Sequence, residues 1–213
     1  MKEFVILETE SPTFDGRSFG SVGQYERLSG YAVGTVDPED RRNADIVNIA
    51  NAPRNADGLV EYRVDICLLR PVDAAKANGW LFYEMLNRGS KRAICRINTA
   101  PATNGSSEAS DAGNGFPMEQ GFTLLGSGWQ HDLREGAGRM RAEYPVATAD
   151  GEPIIEVTAH EVIDESGAAR FVTELTYPAA SVDSENGTLT ARVRERDERE
   201  CPAGLDWRYV DDR

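Results

Sequence analysis

The sequence predicts an α/β protein, and three observations support that class. Residues 80–86 and 122–125 are largely apolar and predict two buried strands, joined by a loop and a short helix in a βαβ-like unit. The chain before them is rich in Gly, Pro, Asn and Asp between short apolar runs, which is typical of short strands and ordered loops. After residue 145, apolar and polar residues alternate between turn sequences, which predicts an antiparallel β meander.

Composition limits the classes of function. A chain of 213 residues that is 40% hydrophobic suffices for a packed core. The net charge of −13 argues against nucleic acid or an anionic membrane surface as a partner, because both would repel the average surface. The apolar run Phe4–Leu7 is far shorter than that of a signal peptide, and no other run approaches a membrane span. We therefore expect a globular, cytoplasmic protein.

Neither a metal nor a cofactor is expected. Cys67, Cys95 and Cys201 are widely spaced and odd in number, which favours reduced thiols over a disulfide framework. The two histidines and three cysteines show no C-x-x-C or H-x-x-x-H spacing, and the carboxylates form no calcium loop. Gly113-Asn114-Gly115 lacks the preceding strand of a dinucleotide-binding fingerprint.

The strongest strand patterns lie in the middle of the chain. Residues 60–69 place apolar side chains at alternate positions, and Pro71 ends that run. Asn78-Gly79 then turns the chain into the apolar run 80–86.

A polar stretch, residues 99–114, separates this run from the next strand. Its Ala, Ser, Asn and Gly content predicts a mobile loop. Pro117 is suited to begin a short helical turn that continues to Gln120 and ends at Gly121. The buried strand 122–125 follows.

The meander predicted for the tail has three strands. Residues 154–163, 170–177 and 188–193 alternate in polarity. Turn sequences at 164–167 and 184–187 separate them, so neighbouring strands are expected to run antiparallel.

A series of short phrases runs through the first 135 residues in a characteristic order. They are Phe19-Gly20, Val22-Gly23, Tyr25-Glu26, Val36-Asp37-Pro38, Asn43-Ala44, Ala52-Pro53-Arg54-Asn55-Ala56, Gly58, Asn87-Arg88-Gly89 and Gly128-Trp129-Gln130. Taken together, these phrases resemble the large, sparsely characterised family of α/β-hydrolase-domain proteins.

The resemblance implies a partial α/β-hydrolase-type sheet. Residues 1–145 would hold a β-rich N-terminal region and the first part of that sheet, and residues 146–213 would be an antiparallel β insertion. It also implies hydrolysis of an ester or related acyl compound by a Ser-His-acid mechanism. Asn87, Arg88 and Gly89 would lie on the oxyanion side of the site, where a backbone N–H stabilises the negative charge of a tetrahedral intermediate.

Two residues that follow the strand predicted at 122–125 are candidates to line a substrate pocket. Trp129 either lines an acyl pocket or packs the insertion against the sheet. His131 either lies at the sheet edge where open α/β folds bind ligands or is a surface or core histidine.

No catalytic nucleophile or base is predicted within the chain. Gly16–Gly20 matches G-x-S-x-G around Ser18, but a nucleophile elbow needs a buried strand before it and a helix after it. Residues 11–15 cannot form such a strand, and Gly23 interrupts the helix. The near-match Gly105–Ala109 lies in the polar loop and fails for the same reason.

We therefore expect the N-terminal part of a serine-type ester or acyl hydrolase that is inactive as this chain alone. The alternative is a non-catalytic, β-rich binding or assembly module, because the open edge of an incomplete sheet recruits other chains. The expected partners are a small ester-like substrate, if the site is completed, and a second chain or second copy that completes the sheet.

Overall fold

The protein is described by a computed structural model that divides into two compact units, Met1–Pro153 and Ile154–Arg213. Of Ala93 and Ile94 only the backbone is described. The predicted division after residue 145 stays a prediction, because compactness does not test which segment is inserted. The residues described are 3–102, 104–133, 136, 138–163, 167–175 and 177–211.

A mixed seven-stranded sheet forms the first unit. Its order is β1-β3-β4-β6-β5, with β2 beside β3 and β7 beside β4. All neighbours run antiparallel except β5 and β6, which are parallel. The strands are β1 Glu3–Glu10, β2 Ser18–Phe19, β3 Gly23–Val36, β4 Val60–Pro71, β5 Leu81–Met85, β6 Thr123–Ser127 and β7 Ala142–Glu143.

The predicted α/β-hydrolase-type fold is wrong, because the sheet dominates the structure. The described residues hold only two short α-helices, α1 Arg92–Ile97 and α2 Phe116–Glu119. Covering a parallel sheet takes longer crossover helices than these. The β5–β6 connection is long, but its Gly, Ser and Asn residues favour turns over helix, and Gly113 and Gly115 both have positive φ.

Strand β3 is much longer than the short strands expected between residues 11 and 58. Its glycines look like breakers in the sequence, but in the sheet they allow close approach. A Cβ at Gly30 would lie 1.9 Å from the Val5 carbonyl oxygen, and one at Gly34 would lie 2.3 Å from the Tyr62 ring. Glycine therefore permits β3 to pair with β1 and β4.

The main hydrophobic core lies on one face of the sheet, which we call the covered face. The register of β3, β4 and β6 places Tyr25, Leu69 and Leu124 on this face. The 3-10 turn Phe14–Gly16 and helix α2 pack over them. Aromatic rings meet edge to face, at 5.7 Å for Phe14–Phe19 and 5.6 Å for Phe19–Tyr25. The buried cluster consists of Phe14, Phe19, Tyr25, Leu69, Ala112, Met118 and Leu124.

The antiparallel meander predicted for the tail is wrong as well. Described residues 154–163, 167–175 and 177–211 contain no strand beyond the isolated bridge Ala191–Glu200. Val157 and Val193 are almost wholly exposed, so the alternating pattern has no layer to bury its apolar positions. A 3-10 turn forms at Ser184–Asn186, whereas 164–166 of the other predicted turn lie outside the described residues.

A short hairpin, β8 Thr148–Ala149 with β9 Glu152–Pro153, ends the first unit. No helix in the described part of the chain has the length and apolar character needed to cross a membrane.

Candidate functional site

A tight turn, Asn87–Ser90, follows β5 directly. The Ser90 N–H donates to the Asn87 carbonyl oxygen at 3.1 Å, and both central residues, Arg88 and Gly89, have positive φ. A Cβ at Gly89 would lie 2.6 Å from Leu133 Cδ1 and 2.7 Å from the Met140 carbonyl oxygen. Only glycine fits there without displacing its neighbours.

Arg88 keeps a left-handed backbone conformation because three contacts hold it. Its N–H donates to Gln130 Oε1 at 2.7 Å, and its guanidinium contacts Asp132 Oδ2 at 2.8 Å and the Asp132 carbonyl oxygen at 3.2 Å. The hydrogen bond from Arg88 lowers the pKa of the Asp132 carboxyl below its usual value. A strained non-glycine residue that its surroundings hold in place is a feature of functional loops.

Trp129 and His131 lie beside this turn, at the C-terminal end of β6. The Trp129 indole N–H donates to the Leu86 carbonyl oxygen at 2.7 Å, and the Tyr144 hydroxyl donates to the Trp129 carbonyl oxygen at 2.7 Å. The His131 ring meets the Tyr144 ring edge-on at 6.1 Å. The structure thus places Asn87, Arg88, Gly89 and Trp129 where the parallel pair β5/β6 ends, and His131 follows two residues after Trp129 along the chain.

The chemistry open to the turn Asn87–Ser90, which we call the strand-end turn, depends on Gln130. Its side-chain oxygen accepts the hydrogen bond of the Arg88 N–H. It therefore takes the position in which an oxyanion would accept that hydrogen bond. Gln130 must turn away before the Arg88 amide can stabilise a tetrahedral intermediate.

The outer edge of β5 is a second candidate site. Hydrogen bonds from the Thr123 N–H to the Trp80 carbonyl and from the Leu86 N–H to the Ser127 carbonyl direct the even-numbered residues toward β6. By the alternation of a parallel ladder, Leu81, Tyr83 and Met85 direct their N–H and C=O groups outward. Within the described chain these outward groups have no hydrogen-bond partner.

The side chains of the same three residues are also uncovered. Leu81 is 55% exposed, Tyr83 53% and Met85 64%. They lie on the face opposite the covered face, because they alternate with Phe82, which packs against the core. Tyr83 makes one polar contact there, between its hydroxyl and Ser127 Oγ at 2.6 Å.

A cavity of about 390 Å³ opens on the covered face and was not predicted from the sequence. Lys91 Nζ donates to Ser106 Oγ at 3.2 Å, and Cys67 Sγ lies 3.8 Å from the same oxygen. Lys91 and Ser106 are 15 residues apart on no common element, so no sequence pattern links them. Polar residues that line the cavity are Glu8, Arg27, Ser29, Asp65, Cys67, Lys91, Asn104, Ser106 and Ser107.

The segment carrying Ser106 is tied to the core, in contrast to the mobile loop predicted for residues 99–114. The Thr13 hydroxyl donates to the Ser106 carbonyl oxygen at 2.7 Å. The N–H groups of Ser107 and Glu108 both donate to Asp111 Oδ2 at 3.2 Å. Asp111 is itself buried, which anchors this part of the loop.

Ser18, the centre of the G-x-S-x-G match, is exposed in the two-residue strand β2 and is followed by a turn. No helix follows it, so the geometry of a nucleophile elbow does not form. The three cysteines are free thiols. Across the described residues, no group of three His, Cys, Asp or Glu side chains is placed to hold a metal ion.

No protein-family model, curated protein or solved structure matches this chain. The resemblance to α/β-hydrolase-domain proteins therefore stays a prediction.

Proposed function

We propose that this chain is an assembly module whose sheet is completed along β5 by an extended, acidic strand of another protein. One observation carries the proposal: Leu81, Tyr83 and Met85 leave both their outward backbone groups and their side chains without partners in the described chain. Unpaired edge groups are a template for another strand, and exposed apolar side chains add area to be buried there.

Strand β5 lacks the devices that usually protect an edge. It contains no Lys and no Pro, and its pairing with β6 runs without a bulge. Its one charged residue, Glu84, lies on the other face and accepts a hydrogen bond from the Arg92 N–H at the start of α1 at 2.8 Å. Glu84 therefore does not prevent another strand from pairing with the outer edge of β5.

The charge around β5 favours an acidic partner over a second copy of this chain. Residues 74–98 contain one carboxylate, Glu84, although the whole chain carries a net charge of −13. Two copies facing each other across β5 would bring like charges together, whereas carboxylates flanking a partner strand would complement them. The cations of this segment that lie outside the Arg88–Asp132 ion pair and the cavity are Lys76, Arg92 and Arg96.

We place this module in the cytoplasm. Cys67, Cys95 and Cys201 are free thiols, which suits a reducing compartment. The acidic average surface disfavours nucleic acid and anionic membranes as partners.

The probe for the edge is a short labelled peptide that alternates Val and Thr between paired Glu residues, followed by fluorescence anisotropy. We expect saturable binding that weakens with added salt. The same peptide with Lys in place of Glu should bind about tenfold more weakly or worse. Equal binding of the two peptides contradicts an acidic partner.

Variants locate the binding site. Leu81→Asp and Met85→Asp should abolish peptide binding, because each places a carboxylate on the apolar edge. Phe4→Asp is the matched control, since Phe4 is 57% exposed on β1, the other edge strand, and should leave binding unchanged. Sedimentation that shows a dimer broken by Met85→Asp would identify a second copy as the occupant and overturn the proposal.

Ester or acyl hydrolysis is the second candidate function. It is favoured by the gathering of Asn87, Arg88, Gly89, Trp129 and His131 at the end of the parallel pair. In that role the strand-end turn would stabilise an oxyanion, Trp129 and His131 would border a small ester-like substrate, and the chain that completes the sheet would bring the nucleophile and base.

Methylphosphonate, a tetrahedral anion, tests this second candidate. Titration followed by NMR should shift the Arg88 and Gly89 amide signals saturably, and more strongly in Gln130→Ala, which frees the Arg88 N–H. The Gly58 amide is a control outside the turn. Unchanged Arg88 and Gly89 signals in both proteins exclude an oxyanion site at this turn.

A further inference from the structure

We infer that Ser106 is a nucleophile activated by Lys91, in a cavity site that takes a small ester or similarly activated acyl compound. This site is separate from the β5 edge and does not rest on the proposed strand-docking function. The inference begins from the contact between Lys91 Nζ and Ser106 Oγ at 3.2 Å. That separation is within the range at which a base activates a hydroxyl nucleophile, and Ser-Lys pairs serve as variants of the catalytic triad.

Ser106 is placed as a nucleophile needs to be. Its side chain borders the cavity, although the residue as a whole is only 2% exposed. Its carbonyl oxygen is fixed by the Thr13 hydroxyl, and the next residue is bound to Asp15, whose N–H donates to the Ser107 carbonyl at 3.1 Å. The hydroxyl therefore has a defined position at low entropic cost.

Gly105 helps to set that position. A Cβ at this residue would lie 2.3 Å from Asp111 Oδ2, so only glycine lets the chain pass the buried carboxylate. The same carboxylate binds the N–H groups of Ser107 and Glu108. The loop is thus shaped around Asp111, and Ser106 projects from it toward Lys91.

Lys91 has no carboxylate at ion-pair distance among the described residues. The two acidic residues on the cavity wall have other contacts. Glu8 pairs with Arg27 at 3.1 Å, and Asp65 accepts a hydrogen bond from the Arg141 N–H at 2.9 Å. The Lys91 amine is therefore not held as one member of an ion pair and directs its contact to the Ser106 hydroxyl.

The reaction balances without a further reactant other than water. Lys91 first releases a proton to solvent. Its amine then takes the Ser106 hydroxyl proton while Oγ bonds to the acyl carbon, and the resulting ammonium stands beside the developing oxyanion. The bond from the acyl carbon to the alcohol oxygen then breaks, and Lys91 returns its proton to the leaving alcohol. Water hydrolyses the acyl-serine by the same steps.

The size of the cavity suits a small-molecule substrate. Its volume of about 390 Å³ lies near the lower end of ligand sites. Leu7, Ile66 and Met140 provide apolar wall, and the Arg27 guanidinium is already paired with Glu8 at 3.1 Å and Glu10 at 3.0 Å. This lining suits a short acyl group on a small neutral alcohol.

A fluorophosphonate probe tests the nucleophile directly. We expect a single adduct on the intact chain, mapped to Ser106 by peptide mass, and a burst of p-nitrophenol from p-nitrophenyl acetate. Ser106→Ala should lose both, whereas Ser110→Ala, an exposed serine of the same loop outside the cavity, should keep both. An adduct on another serine, or no adduct on the folded wild-type chain, overturns the inference whether or not the β5 edge binds peptide.

Two Lys91 variants test the base. Lys91→Met should lower the labelling rate about 100-fold or more, as expected for loss of a positioned base. Lys91→Arg keeps the positive charge but cannot accept the proton, so it should be equally slow. Full activity in Lys91→Arg contradicts a base and indicates a purely electrostatic role. Thermal unfolding of each variant shows whether a lost rate reflects a lost fold.

Discussion

The two faces of the sheet are built from the same strands yet bury very different amounts of apolar surface. On the covered face Leu69 is 1% exposed, and Met118 and Phe14 pack over it. On the opposite face at β5, Leu81 is 55% exposed and Met85 64%. The difference comes from the short elements that fold onto one face, and it shows that apolar composition alone does not make a core.

The two faces are also expected to differ in role, one contributing to stability and the other to binding. Large exposed apolar side chains that are contiguous on an edge mark interaction sites more often than chance solvent contacts. The covered face should therefore carry the folding free energy of the first unit, and the β5 side should carry its interactions.

The largest effect is expected for a matched pair of leucines. Leu69→Ala should lower the free energy of unfolding by about 2–5 kcal/mol, because it leaves a cavity in the core. Leu81→Ala should change it by less than about 0.5 kcal/mol, since its side chain is already solvated. Urea unfolding of both variants measures these free energies. Similar losses of stability in the two variants would show that the two faces do not differ in their contribution to folding.

The two ends of β5 provide the next contrast. Gly89→Ala should cost about 2–3 kcal/mol, because a positive φ is combined with a Cβ 2.7 Å from the Met140 carbonyl oxygen. Gly79→Ala, before β5, has φ +81° but nothing within 4 Å, so about 1 kcal/mol is expected. Equal urea midpoints would mean that the strand-end turn can shift away from Met140.

The strands could be predicted where alternation or a continuous apolar run was long enough. The patterns at 60–69 and 80–86 coincide with β4 and β5. The helical turn predicted from Pro117 to Gln120 is present as α2. Its packing on the sheet could not be predicted, because Phe14 and Met118 reach the core from elements too short to show an apolar face. The tail shows the converse: alternation at 154–163 forms no strand without a partner surface.

The candidate sites were predictable to different degrees. Asn87, Arg88, Gly89 and Trp129 lie near one another because the C-terminal ends of adjacent parallel strands meet at one edge, but their role as a site stays a prediction that the resemblance implies. The contact between Lys91 and Ser106 could not be predicted, because it depends on how the long β5–β6 connection folds back over the sheet. Its local sequence, Gly105–Ala109, predicts an elbow only when a strand precedes it.

Two tyrosines allow the loss of a single hydrogen bond to be compared between the buried and the exposed side of the sheet. The Tyr25 hydroxyl is buried and donates to the Phe122 carbonyl oxygen at 2.9 Å, and burial raises its pKa. Tyr25→Phe should cost about 1–1.5 kcal/mol, because a buried acceptor loses its donor. Tyr83→Phe removes a contact with Ser127 on the exposed side, where water replaces it, so about 0.5 kcal/mol or less is expected. A larger loss for Tyr83 would show that its side is already covered.

The smallest effect concerns the ion pair of the strand-end turn. Arg88 lowers the pKa of Asp132, so the folded state favours the charged carboxylate. The stabilisation is fully present above the unfolded pKa of about 3.9 and is lost as pH falls through the lower, folded pKa. Because the Arg88 side chain is 51% exposed, solvent screening limits the gain to about 0.5 kcal/mol.

Asp132→Asn should remove that gain at neutral pH and leave stability below the folded pKa unchanged, so its urea midpoint should fall with pH less steeply than that of the wild type. Glu39→Gln is the matched control, since Glu39 pairs with Arg54 at 2.9 Å but its side chain is 74% exposed. It should reproduce the wild-type pH profile. If Asp132→Asn also does so, the left-handed Arg88 is held by its bond to Gln130 rather than by charge, and only Gln130 then controls access to the Arg88 amide.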